Sequence, residues 1–359
     1  MPEIAPVKTS RLLHWFAMLT AVCTFVLLGA GGLVTSHNAG MSVPDWPNSY
    51  GYNMFLFPPS KWIGGILYEH THRLIASGVG LLTTILAVWL WLKDTRKWMH
   101  WVGVAAFLSV VAQGILGGLR VVLADAQLGI FHAILGQLFF VLICSIALFT
   151  SHWWITSGNW PSANRVEGAP LRRLILFATV LIFCQLVIGA TMRQAHAGLA
   201  IPDFPLAYGK LWPDTNTAAV QSYNEHRNLI AAHALHPITA FQIILQMVHR
   251  LVALTILILT ATCAWQTRRR LGKNDALAKL SLFWAGLIVF QIFLGAATIW
   301  SNKAADVTTL HVLGGALSLV TGALCCVIAF RRSEALLQIA LAKTIAGTYG
   351  ATPAMAANK

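Results

Sequence analysis

The sequence predicts an all-α integral membrane protein, with eight transmembrane helices arranged as two tandem, pseudo-symmetric four-helix bundles. Three observations predict it. Of 359 residues, 57% are apolar and only 10% are charged, where soluble domains run at about 25% charged. The apolar residues gather in blocks of roughly 20, long enough as helices to cross a hydrocarbon core about 30 Å thick. The second half of the chain also repeats motifs of the first in the same order.

Taken in order, the first block, 12–34, is too long for a signal-peptide core and lacks a small-residue cleavage site, so it reads as a span. The second (70–92) and third (99–120) are separated by a short connection carrying Lys93, Arg96 and Lys97. The fourth is 127–150. Arg165, Arg172 and Arg173 lie ahead of or at the start of the fifth, 171–192. Arg268, Arg269, Arg270, Lys273 and Lys279 lie between the sixth (243–266) and the seventh (279–300), and Arg331 and Arg332 close the eighth (307–330). The remainder, 333–359, is alanine-rich and reads as a short cytoplasmic helix that frays. The organisation expected is therefore an N-terminal half over 1–155, a C-terminal half over 156–335 and a tail over 336–359.

The net charge of +13 follows from topology. With Lys8 and Arg11, the basic clusters above all fall on one side if the spans alternate. The other side holds fewer: Lys61, Arg73, Arg120, Arg193, Lys210, Arg227, Arg250 and Lys303. The positive-inside rule then places both termini in the cytoplasm, and nucleic acid is not the partner this basicity implies. The six cysteines (Cys23, Cys144, Cys184, Cys263, Cys325, Cys326) lie within spans, where no structural disulfide is expected.

Gly31 to Gly51 aligns without gaps on Gly189 to Gly209, with eight identities that include Pro44/Pro202, Asp45/Asp203, Pro47/Pro205 and Tyr50/Tyr208. Further along, His72-Arg73 matches His249-Arg250, Gln113 and Gly117 match Gln291 and Gly295, and His132 matches His311. Four spans is an even number, so both halves enter the membrane in the same direction and matched residues lie at matched depth. This is a parallel duplication, unlike the inverted repeats of many transporters.

Each half thus places one histidine near the outer end of its second span and one near the outer end of its fourth. Ionisable residues inside spans are costly and tend to be functional. Two imidazoles on facing helices of a four-helix bundle are what a six-coordinate haem iron needs. His72 with His132, and His249 with His311, are therefore candidate haem ligands. Arg73 and Arg250 are candidate partners for haem propionates, or else arginines that snorkel to the headgroups. Gly114, Gly117, Gly118, Gly136, Gly295, Gly314 and Gly315 would admit a flat macrocycle, or simply close helix packing.

The halves differ at one telling place. Glu69 lies one turn before His72, and its counterpart is Gln246; His70 likewise becomes Met247. A pair of electron-carrying haems has no need of one lone carboxylate, whereas a substrate oxidation needs a proton-handling group at one site. The first half is thus the catalytic candidate and the second the resident cofactor site, with helix capping as the plainer role for Glu69. The outer loops share Pro-Asp-aromatic-Pro, at 44–47 and 202–205, rigid turn chemistry suited to covering the pockets. His226, His233 and His236 sit in the longer second loop, where solvent exposure is the first expectation and metal binding the second.

Together, the paired histidines, Glu69 with His72-Arg73, Gln113-Gly114 with Leu116-Gly117-Gly118, and the Pro-Asp-Trp-Pro loop resemble the haem A synthase family over about residues 10 to 332. The resemblance implies oxidation of the ring-position-8 methyl of haem O to a formyl group, through successive hydroxylations, to give haem A for terminal oxidases. It implies His249 and His311 as ligands of a resident haem b, His72 and His132 as residues holding the substrate haem O, and Glu69 as an essential carboxylate. It also implies a bacterial inner membrane or its equivalent, and a haem O synthase, an oxidase assembly factor and a redox partner as associates. The chain departs from many bacterial members at Val43 and Ser49, where they carry a cysteine pair, so a thiol role for that loop is excluded here. Two other classes stand beside this one: a dihaem quinol-oxidising electron-transfer subunit, and a transporter using the histidines as a proton relay.

Overall fold

The computed structural model describes residues 10–156, 169–230 and 237–349. Eight long apolar helices account for most of it: α1 Arg11–Ser36, α2 Gly65–Lys93, α3 Lys97–Val122, α4 Ala126–Thr150, α6 Ala169–Gln194, α8 Ala240–Leu271, α9 Ala276–Trp300 and α10 Ala305–Tyr349. Each is long and apolar enough to cross a membrane. Every predicted span coincides with one of them to within a few residues at the ends. Two shorter helices had no signal in a search for apolar blocks: α5 His152–Thr156, and α7 Thr217–Ile230 in the second outer loop. The helix expected separately beyond residue 332 is instead continuous with the last span, since α10 runs unbroken to Tyr349. Alanine and leucine in that stretch favour propagation of an existing helix over a costly new start.

Local sequence sets several of these helix starts. Asp125 and Asp275 accept from backbone N–H groups of the first turns of α4 and α9. Thr239 and Gln242 form a reciprocal capping box at the start of α8. Within membrane-spanning helices the backbone satisfies itself, which is the condition for crossing hydrocarbon. Large apolar side chains such as Trp15, Leu81, Trp101, Phe177, Ile258 and Phe293 then face outward, as lipid requires of a multi-pass membrane protein.

Contacts group the helices in two sets of four. In the first, α1 packs on α2 and α4, and α3 on α2 and α4; in the second, α6 packs on α8 and α10, and α9 on α8 and α10. The sets meet along α1–α10, α4–α6 and α4–α10. Each has its dense apolar core toward the end with the basic clusters. Leu13, Leu86, Leu90, Met99, Ile143 and Ile146 fill the first, and Leu171, Ile175, Leu277, Trp284 and Ile328 the second. That end is also tied by charge. Arg96 pairs with Asp94 at 2.6 Å and donates to the Phe149 carbonyl, and Arg332 pairs with Asp275 at 2.6 Å. The opposite end of each set is left for the histidines.

Candidate functional site

Four histidines stand at that opposite end, each on a glycine of a neighbouring helix. A Cβ added at Gly31 of α1 would lie 3.2 Å from Cε1 of His72 on α2, and one at Gly117 of α3 would lie 3.2 Å from Cε1 of His132 on α4. In the second set, Gly189 of α6 stands in the same relation to His249 of α8 at 3.5 Å, and Gly295 of α9 to His311 of α10 at 3.3 Å. At Gly31, Gly117 and Gly295 a methyl would crowd the ring, while at Gly189 it would only touch it. Two glutamines fix the neighbouring helix: Gln113 Nε2 donates to the His132 carbonyl at 3.0 Å, and Gln291 Nε2 to the His311 carbonyl at 2.9 Å. These were visible in the repeat as matched residues; what they do was not.

The rings pair within each set. His249 and His311 have centroids 6.5 Å apart, and His132 is within electrostatic range of His72. Nδ1 of all four rings is buried without a hydrogen-bond partner.

The outer loops lock over both sites by the same bonds. Asp45 accepts from the N–H groups of Tyr50 and Gly51, and Asp203 from those of Tyr208 and Gly209. Tyr50 and Tyr208 donate through their hydroxyls to the Ser42 and Ala200 carbonyls. Gly51 and Gly209 both adopt φ of +75°, which glycine reaches without strain. Burial works to raise the Asp45 carboxyl, but the N–H donors of Gly51 and Tyr50 outweigh it and hold it below the usual carboxylate range.

The conserved bond pattern shows what Glu69 does in the resting fold. Its Oε2 accepts from Val43 N at 2.9 Å and its Oε1 from Arg73 at 2.8 Å. Gln246 repeats the first bond, accepting from Ile201 N at 2.7 Å. Arg73 also donates to the Asp45, Asn48 and Val43 carbonyls, and Arg250 to those of Asp203 and Leu206. Both guanidinium groups, read from sequence as propionate partners, are thus engaged by the loop backbone. Ser49 is hydrogen-bonded to buried His70 at 3.1 Å. Holding the loop is shared by carboxylate and amide; a negative charge beneath it belongs to the first half alone.

A family model described as cytochrome oxidase assembly protein matches residues 60–323. The chain belongs to that family. Similar proteins include the Heme A synthase of Lysinibacillus sphaericus, 25% identical over 88% of this chain and 94% of that protein. The Heme A synthase of Shewanella oneidensis is 26% identical over 86% of this chain and 94% of that protein. A Heme A synthase of Bacillus cereus is 28% identical over 55% of this chain and 62% of its own length.

For a cytochrome oxidase assembly protein, the donor set can be tested against the group the resemblance implies. Among the described residues no cluster of three or more His, Cys, Asp or Glu could hold a bare metal ion. Two histidines suffice where a macrocycle supplies the other iron ligands. His249 and His311, with ring centroids 6.5 Å apart, would be the residues to hold an iron between them. The residues fit a haem. His226 of the outer loop is exposed on α7; His233 and His236 lie outside the described residues.

Sequence reasoning missed three cations near the same end. The Arg120 guanidinium lies against Gly40, Arg193 donates to the Gly32 carbonyl at 3.0 Å, and the Lys303 stem passes Gly198. None has a basic counterpart in the repeat, which is why a search for matched residues passes over them.

Proposed function

We propose that this chain is a haem A synthase of a bacterial inner membrane or its equivalent, with both termini in the cytoplasm. It oxidises the ring-position-8 methyl of haem O to a formyl group in the first half, with a haem b held by His249 and His311 in the second. The observation that carries this reading is the pair of glycine-seated histidine sites, alike in build and unlike in one buried charge. The names of the relatives above favour the same pathway.

Haem b would supply electron transfer. His72 and His132 hold and orient haem O. Turning methyl to formyl through successive hydroxylations installs one oxygen and, with water as its formal source, releases four protons and four electrons, the electrons passing to a redox partner that acts as oxidant. Glu69 is a buried carboxylate one helical turn from His72 and is placed to accept such protons; Arg73 keeps it anchored while it does so. The outer loop, latched through Val43 and Arg73, excludes bulk water from the site. A haem O synthase and an oxidase assembly factor are the associates this role calls for.

The test is acid-acetone extraction and chromatography of haems from purified protein, wild type against Glu69→Ala. Haem b accompanied by haem O or haem A in the wild type, with haem A absent and haem b kept in the variant, supports the reading and its division between halves. Haem b alone in both, despite a haem O supply, replaces it with an electron-transfer function.

A further inference from the structure

We propose that Arg120, Arg193 and Lys303 form a site for the carboxylates of the tetrapyrrole held in the first half, so that the second half charges the first half's pocket. The inference rests on the function proposed above and adds residues and a ligand chemistry to it.

The two arginines flank the first half's histidines. Arg120 Nε would lie 3.1 Å from a Cβ at Gly129, one turn before His132, and Arg193 donates to the carbonyl of Gly32, next to the glycine that seats His72. The Lys303 stem passes Gly198, and Lys303 feels the charge of Arg193. Among the described residues no carboxylate comes within ion-pair distance of any of them. Arg120 and Arg193 are half-buried while Lys303 is exposed, and half-buried like charges are unfavourable unless an anion joins them. Backbone makes room for the cluster rather than neutralising it. A Cβ at Gly40 would stand 2.6 Å from Arg120 Nη2, and Arg193 spends one N–H on the Gly32 carbonyl.

The cluster belongs to one pocket. Arg120 follows Gly117, the glycine that seats His132, by one turn of α3. The repeat gives an asymmetry: Arg120 corresponds to Thr298 and Arg193 to Thr35, both uncharged, while Lys303 corresponds through its matched backbone bond to the acid Asp125. Arg193 on α6 and Lys303 before α10 are second-half residues, so the first pocket lacks two of its three cations without the second half. Arg73, the sequence's candidate for this task, is occupied by the loop. An anion here, beside two imidazoles, is met by the paired carboxylates on one edge of a tetrapyrrole, and the planar fork of arginine suits a carboxylate. A phospholipid headgroup offers similar chemistry from another source.

The experiment titrates purified full-length protein, its resident haem retained, with iron mesoporphyrin and separately with its dimethyl ester. Binding is read from the absorbance of the two-histidine complex. Wild type should bind the diacid roughly tenfold or more tighter than the diester. Arg193→Gln and Lys303→Gln should lower diacid affinity toward that of the diester while leaving diester binding unchanged, which also certifies the fold. Arg193→Lys should restore part of the preference. Equal affinities in the wild type, or a diacid preference untouched by both variants, overturns the proposal. So does loss of a bound phospholipid from the variants, by mass spectrometry, with that preference intact. If wild type gives no two-histidine spectrum with either compound, the function proposed above fails as well, an outcome distinct from equal binding.

Discussion

Glu69 and Gln246 offer a natural experiment at the scale of one atom. An amide at position 246 keeps the bond to the loop N–H, so Glu69→Gln should leave the latch and the thermal stability close to wild type, within about 1 kcal/mol. Haem A in extracts should nevertheless fall roughly 100-fold or more, the scale of a lost proton-handling group. A variant that stays active would reduce Glu69 to a loop anchor. Asp45 makes a separate prediction. Its carboxyl is held low in the folded chain, so its contribution is complete above about pH 4, the unfolded value, and is lost as pH falls through the lower folded one. Limited proteolysis of the loop should therefore stay slow at pH 5 and speed up only in stronger acid. The carboxylate and the histidines were legible in the sequence because the repeat isolates them. The engagement of Arg73 was not, because nothing in a helix-end arginine says whether it meets a ligand or the carbonyls of its own loop.

At the scale of helices, the spans were legible from composition alone, while contacts between them required coordinates. Trp46 illustrates the gap. Its indole occupies the space where a Cβ at Gly118 would go, whereas the second half has Phe204 and Ala296 at the matched positions. The smaller ring accompanies the larger neighbour. Gly118→Ala should cost about 1–3 kcal/mol by overpacking, and Trp46→Phe in the same chain should recover most of it. Thermal unfolding of the single and double variants measures the coupling, and simple additivity would count against this packing. Gly295→Ala pushes on His311 Cε1, so it should weaken the low-spin haem signal of the second half while sparing the first. The amphipathic helix α7 gave no apolar block to find, and α10's extension beyond 332 follows from helix continuity rather than hydropathy.

For the molecule as a whole, the basic clusters predict orientation. Cysteine placed at Thr217 on the outer loop should react with a membrane-impermeant maleimide on intact cells, and cysteine at Lys273 only after permeabilisation, with wild type as the background for its own six thiols. The reverse pattern would invert the topology. The parallel duplication was legible because equivalent residues keep their spacing across the chain. The junction between halves was not, since its residues are those that ceased to match. Ser36 and Thr309 share a hydrogen bond there, and Thr309 lies against Gly32.

The bond from Arg193 to the Gly32 carbonyl crosses that junction in one direction only, because the residue matched to Arg193 is Thr35. A duplicated gene of this kind descends from a protein that could pair with a second copy of itself. In the present chain the two sides of that junction have diverged: the first half offers the carbonyl and only the second half carries the arginine. Co-expressed as two separate polypeptides they should find each other, whereas two copies of the first would set Thr35 opposite the Gly32 carbonyl and lose the arginine's bond.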